Sequence, residues 1–313
     1  MKITARVVMF LYCILACVSL QATDTVSSSE AFERFGLDVK TTEVRVEEVG
    51  AGLYVLFGAG GNILVSIGDQ GVLIVDDQVP GMIPKIKSAI VELGGGDVDF
   101  VINTHWHFDH ADGNAVLAKE GSWIVSQNNS RQMLTKDNLI NLVGFIIDQS
   151  AYVPEGLPVI TFEDRMQFHF NGEEIDLLHF GPAHTTGDTA VVFRGQNVLH
   201  MGDVYNGRYP FIDADNGGDL GGLIRFCESV LNEINEKTVV IPGHGSVGTY
   251  QDFEEYVSML KTIQGRIAAL ITEGASLEEI IAAKPSAEWD EERGDPTQFL
   301  DRAFKSMTSN SHP

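Results

Sequence analysis

The stretch NTHWHFDHADGN, residues 103–114, places three histidines and two aspartates within eight positions. An imidazole or carboxylate taken out of water costs stability unless it finds a partner. A packed core therefore gains nothing from such crowding unless something charged holds the segment together. VDFVIN, a short buried strand by its pattern, runs into the cluster, and ADGNAVLAKE begins a helix after it. Three other apolar runs end in the same kind of residue: EIDLLHFGPAH at His184, VLHMGD at Asp203 and TVVIPGH at His244. In mixed sheets with helical crossovers, sites gather beyond the carboxyl ends of strands. The four placements predict that His105, His107, Asp109, His110, His184, Asp203 and His244 converge.

Neutral imidazole and carboxylate suit Zn²⁺, and two ions need about three ligands each plus a bridging group. In an extended segment, residues 105, 107 and 109 face one side and 110 the other, so a single loop can serve two adjacent ions. Asp203, with two oxygens, can bridge them. His169, His179, His200 and His312 sit mid-strand or in the tail and read as ordinary core or surface residues.

The rest of the chain supplies the frame. EVRVEEVGAGLYVLFG and NILVSIGDQGVLIVDD read as strands joined by Gly-rich turns, with GDQG closing a hairpin, and residues 84–94 carry helical spacing. RMQFHFNGEEIDLLHF is a hairpin turning at Asn171-Gly172. TAVVFRGQNVLHMGD is a further strand pair, and helices cover 220–235, 250–272 and a short stretch from Leu277. Strands and helices recur in similar order in the two halves, which predicts two stacked halves sharing one core with helices outside. Residues 137–160 are long, apolar and placed between sheet elements, the profile of a lid or wall over a site, with a core helix as the equal alternative.

Composition sets the outer limits. The 313 residues carry a formal net charge of −23 and 44% apolar content, an ordinary folded chain with no basic run, which excludes a nucleic-acid partner. Lys2 and Arg6 precede an apolar run from Val7 to Leu20 and a small residue at Ala22, the three parts of a secretory signal peptide. The run is short of the ~20 residues of a membrane span. ILAC, ending at Cys17, resembles a lipoprotein box and makes acylation there the alternative to simple export. Periplasmic export is the expected location. Cys13 and Cys17 fall in this segment, leaving Cys227 alone on a helical face as a buried structural thiol. The expected organisation is a signal peptide at 1–22, a linker at 23–39, a catalytic domain at 40–285 and an acidic tail at 286–313 that ends in a short helix.

The order His-x-His-x-Asp-His after a strand, a single His, an Asp and then PGHG resembles the metallo-β-lactamase superfamily over about residues 40–285. That resemblance implies an α/β fold built as a four-layer αβ/βα sandwich, with two stacked mixed β-sheets and helices on both outer faces. It implies two Zn²⁺ per chain, the first held by His105, His107 and His184, the second by Asp109, His110 and His244, with Asp203 bridging. Asp76, closing LIVDD, matches the family's first motif, an aspartate that orients ligands from behind. Asp109 and Asp203 take the catalytic roles. The implied chemistry is attack of an activated water on the carbonyl of a small-molecule amide, ester, lactone or thioester.

Export and HADGN resemble periplasmic β-lactamase-like members, the leading reading. The best-known zinc β-lactamases carry Cys where this chain has Asp203, and many have Lys where it has Asn206. Arg208 or Arg225 are the candidates to replace that charge. Asp203 instead follows the pattern of lactonases and glyoxalase-II-like thioesterases, whose substrate-positioning Tyr corresponds only loosely to Tyr205. The contrasting class is a non-catalytic metal-binding or sensory protein. Such relatives typically lose ligands, whereas all seven are present here.

Overall fold

Most strands are apolar on both faces, and that dictates layers on either side of them. In Gly71–Val75, Val72 and Ile74 join one buried cluster while Leu73 and Val75 join another. In Ala190–Phe193, Val191 and Phe193 meet that second cluster while Ala190 and Val192 point into a third. Successive side chains of a strand point to opposite faces, so each sheet is covered twice. The computed structural model describes residues 24–309.

One sheet has seven strands in the spatial order Ile160–Phe162, Trp123–Gln127, Val98–Ile102, Gly71–Val75, Ile63–Gly68, Leu53–Phe57 and Arg45–Gly50. Its first four strands are parallel and the remaining pairings antiparallel. The second sheet has six strands: Arg165–Phe170, Glu173–Leu178, Ala190–Phe193, Val198–His200, Val239–Ile241 and Gly248–Thr249. Only Val198–His200 and Val239–Ile241 pair in parallel there. The inner faces of the sheets meet in a core that includes Leu64, Leu73, Ile102, Leu177 and Phe193.

Helices Ile83–Glu92 and Asn114–Glu120 close the outer face of the first sheet. Leu220–Leu231 and Tyr250–Thr272 close that of the second. The result is the expected αβ/βα sandwich. Local chemistry agrees with it: Asn171 (φ 54°) and Gly172 (φ 78°) both adopt the left-handed conformation a two-residue hairpin turn requires. Thr249 and Asp252 form a reciprocal capping box at the start of the long helix.

Three expectations differ from the structure. The linker assigned to 23–39 is partly folded: Thr25–Ser27 pairs in parallel with Ile146–Gln149, and the capped helix Ser28–Arg34 buries Ala31 and Phe32. Its apolar residues are too few to show a period, but they suffice to dock it. Of the two readings of residues 137–160, the core helix does not form. The segment gives the hairpin Asn138–Asn141/Ile146–Gln149, a short 3-10 turn and the edge strand Ile160–Phe162. The acidic tail is more than a tail, because helix Thr297–Ser309 buries Phe299, Leu300 and Ala303 in the outer core of the second sheet. Its charged residues are part of the docking too: Arg302 is buried, and it and Lys305 pair with Asp215.

The segment expected to be a signal peptide, with Cys13, Cys17 and Ala22, and His312 lie outside the described residues. Among the described residues, no helix is long and apolar enough to cross a membrane. Cys227 is a buried free thiol, and burial pushes its pKa well up.

Phe299 is 1% exposed, with its ring stacked on Tyr209 at 5.3 Å. Phe299→Ala should cost about 3–5 kcal/mol of unfolding free energy. Chemical denaturation measures it, and a loss below about 1 kcal/mol would mean that the C-terminal helix only rests on the core.

Candidate metal centre

All seven predicted ligands lie at the same end of the two sheets. His105 and His107 follow strand Val98–Ile102, His184 lies beyond Glu173–Leu178, Asp203 follows Val198–His200 and His244 follows Val239–Ile241. The first loop is not extended throughout. His107 caps a four-residue helical turn, Phe108–Ala111, and that turn, rather than strand alternation, places Asp109 and His110, with the His110 ring 4.3 Å from that of His105.

The donor atoms form groups tight enough to hold a cation. His105, His107 and His184 offer three nitrogens within 4.8 Å of one another, as do the donors of Asp109, His110 and His244, and those of His105, His110 and Asp203. Asp203 lies between the sets: its Oδ1 is 3.2 Å from His110 Nε2 and 3.5 Å from His244 Nε2, while Oδ2 is 3.8 Å from His184 Nε2. Asp188 is buried but occupied, accepting from the Thr185 amide and hydroxyl at 2.8 and 2.7 Å.

Ring nitrogens that do not face the cluster are held from behind. Asp76 Oδ2 accepts from His110 Nδ1 at 2.7 Å and from the Thr104 hydroxyl at 2.8 Å, and Oδ1 accepts from the Thr104 amide at 2.7 Å. Because that hydroxyl donates to Asp76, it accepts from His105 Nδ1 at 3.0 Å. His105 therefore turns a bare Nε2 inward, fully buried and without a partner. His184 Nδ1 donates to the Phe211 carbonyl at 2.7 Å, and His107 Nε2 to Asp213 Oδ2 at 3.1 Å. Metal-binding histidines almost always donate their second N–H to such acceptors, and the orphaned Nε2 of His105 fits a cation in particular.

Electrostatics separates the two sets. Burial, with the neighbouring histidines, pushes His105 well below the usual imidazole range, and burial also lowers His184. Burial opposes protonation of His110 and His244 as well, but Asp203 and Asp109 outweigh it and raise both. Burial likewise opposes ionisation of Asp109, yet His110 and His244 bring its pKa down to about 2.

Sequence reasoning missed Asp213. It is 1% exposed and lies in an irregular connection, YPFIDADNGGD, where no period marks it, and both its oxygens accept from Asn216 Nδ2 at 2.9–3.0 Å. His179 donates Nδ1 to the Asp188 carbonyl at 2.7 Å, and His169 is exposed on its strand.

Residues 56–244 match the family pattern described as the metallo-beta-lactamase superfamily, a span that contains Asp76 and all seven residues. The chain belongs to the metallo-β-lactamase superfamily. It is 26% identical over 204 residues to a probable metallo-hydrolase of Methanocaldococcus jannaschii, across 63% of this chain and 93% of that one. It is 22% identical over 200 residues to the β-lactamase-like protein 2 homolog of Drosophila melanogaster, across 63% of this chain and 59% of the relative. Among solved structures, a metallo-β-lactamase from Pontibacter korlensis superposes with a TM-score of 0.57 at 17% identity, covering 70% of this chain and 99% of that one. The DIM-1 metallo-β-lactamase gives 0.55 at 19% identity, covering 70% and 98%. At these identities the structural likeness establishes the fold. Superfamily membership makes the chain a hydrolase whose His/Asp cluster is suited to metal.

Asp213→Ala should weaken metal binding about 10–100-fold, as loss of a carboxylate behind a ligating histidine does. Competition with a chromophoric chelator reads this, and unchanged affinity would leave Asp213 a loop-bracing residue only.

Proposed function

We propose that the chain is a binuclear zinc hydrolase attacking a carbonyl, with a β-lactamase-like substrate as the leading assignment. The observation that carries the reading is Asp203, one carboxylate whose two oxygens face different histidine sets. His105, His107 and His184 would hold the first ion and Asp109, His110 and His244 the second, with Asp203 shared. Zinc supplies Lewis acidity toward a carbonyl and lowers the pKa of water from 15.7 to about 7.

The protein's own groups do the positioning. Asp109 stays ionised at neutral pH and keeps 21% of its side chain exposed, so it can accept a hydrogen bond from water and aim it. The three imidazoles of the first set are oriented from behind, His105 by Thr104, His107 by Asp213 and His184 by Phe211.

Beside His244 a groove of about 430 Å³ is lined by Tyr205, Asn206, Arg208 and Arg293. Asn206 accepts from the Arg208 amide at 3.2 Å and supplies no charge. An anionic substrate group would meet Arg208 there, since Arg293 pairs with Glu292 at 3.1 Å and Asp252 also lines the groove, whereas Arg225 is 72% exposed on its helix beside Asp219. A carboxylate at 203 in place of a thiol favours the second reading, a lactonase or glyoxalase-II-like thioesterase. Tyr205 supports it weakly: its ring packs on Phe253 and Tyr256, and burial pushes its pKa up to about 12, leaving a neutral phenol at the groove. The complete ligand set argues against a non-catalytic sensor. The charged, apolar and small-residue order of residues 1–22 supports export to the periplasm, with acylation at Cys17 as the alternative.

Protein purified without chelator should contain two zinc equivalents, falling to one in His244→Ala. Elemental analysis decides this, and one metal in both proteins would remove the binuclear reading. Asp109→Asn should fold normally and lose at least ~10²-fold in turnover.

The substrate question turns on Asp203. Asp203→Ala should lose metal and all hydrolysis, while Asp203→Cys keeps metal because thiolate binds zinc well. A screen against a β-lactam, a lactone and a thioester then separates the readings. A Cys variant that keeps or gains β-lactam turnover supports the first, and one that loses a lactone or thioester activity without gaining that turnover supports the second.

A further inference from the structure

His244 lies in a loop whose backbone is gripped by one distant residue. Asn62, 4% exposed at the start of strand Ile63–Gly68, donates both hydrogens of its side-chain amide, to the Pro242 and Gly245 carbonyls, each at 2.9 Å. Its backbone N–H donates to the Gly243 carbonyl at 2.7 Å. Three of the carbonyls around His244 thus answer to a residue 180 positions or more away.

The same residue reaches the loop of Asp203. The Asn62 carbonyl accepts from His200 Nε2 at 3.0 Å, and His200 Nδ1 accepts from the Gly202 amide at 3.1 Å. This fixes the imidazole in one tautomer, proton on Nε2, with both ring nitrogens used. Gly243 in turn donates to the Gly202 carbonyl at 2.8 Å and the Tyr205 carbonyl at 3.0 Å, and a Cβ on Gly243 would collide with Asp203 Oδ1. The neighbouring Gly61 amide donates to the Asp109 carbonyl at 2.9 Å.

We propose that Asn62, acting with His200, is a positioning residue that sets the spacing of Asp203 and His244 and thereby tunes the second metal position without touching either ion. The proposal rests on the binuclear reading above. The chemistry is specific: two carbonyl oxygens facing one side chain need two N–H donors on a single short stem. Asparagine provides these, whereas leucine fills the same space with none.

The test uses the full chain as wild type, Asn62→Ala and Asn62→Leu. Zn²⁺ is titrated against a chromophoric chelator, and amide hydrogen exchange is followed at Gly202 and Gly243 in zinc-free protein. Both variants should weaken the second zinc equivalent about 10–100-fold, the range for groups that orient ligands, and leave the first within about threefold. Gly202 and Gly243 should exchange at least ~10-fold faster with the overall circular dichroism unchanged. Near-normal second-site affinity in Asn62→Leu would show that volume alone matters and overturn the proposal, as would an equal fall in both equivalents. A wild type that takes up fewer than two zincs would defeat the binuclear reading instead. Exchange then decides alone, and unchanged rates at Gly202 and Gly243 in Asn62→Ala would sink the clamp.

Discussion

The carboxylate of Asp76 is the constraint from which the rest of the centre follows. Its backbone takes a left-handed conformation, φ 65°, at the end of strand Gly71–Val75, while its amide still donates to the Ile102 carbonyl at 2.8 Å. A left-handed residue with a Cβ costs roughly 1–2 kcal/mol, and aspartate is among the few that adopt it. The gain is position. Both oxygens lie under the next loop, fixing Thr104 by two hydrogen bonds and His110 by a third. From Thr104 the order passes to His105, whose inward nitrogen has no choice of proton. One buried charge therefore sets the orientation of a member of each histidine set.

The centre also depends on how the sheets meet. Asp109, His110, His105 and His107 come from the seven-stranded sheet, and His184, Asp203 and His244 from the six-stranded one. The two contributions are held in register by the shared apolar core and by direct ties such as the Thr189 amide to the Thr104 carbonyl at 2.8 Å. A core substitution that shifts one sheet against the other would separate the two halves of the ligand set, so packing and chemistry cannot be varied independently here.

The ligands were legible in the sequence because each ends an apolar run, and a charged or imidazole side chain in that place has few other uses. The sheets were legible because alternating and continuous apolar runs carry a short period that survives without context. Asp213 and Asn62 were not, since both act through bonds to residues far away in sequence, Asp213 to His107 and Asn62 to Pro242 and Gly245. The helical turn at Phe108–Ala111 was read as extended because four residues are too few to show a helical period. The helix at Thr297–Ser309 was recognised in part, but its burial depends on the cleft left by Tyr209 and helix Leu220–Leu231, which no local pattern announces.

That last helix has a consequence for biosynthesis. Every residue of the centre, from Asp76 to His244, leaves the ribosome before Phe299, Leu300 and Ala303 do, yet these three complete the outer core of the second sheet. A nascent chain thus carries its whole ligand set while an apolar face still lacks its cover, the kind of transient exposure that invites aggregation in larger chains. Translation has to pass Ala303 before that face is sealed, so a chain stopped short of it would encode the whole ligand set with an apolar face still uncovered.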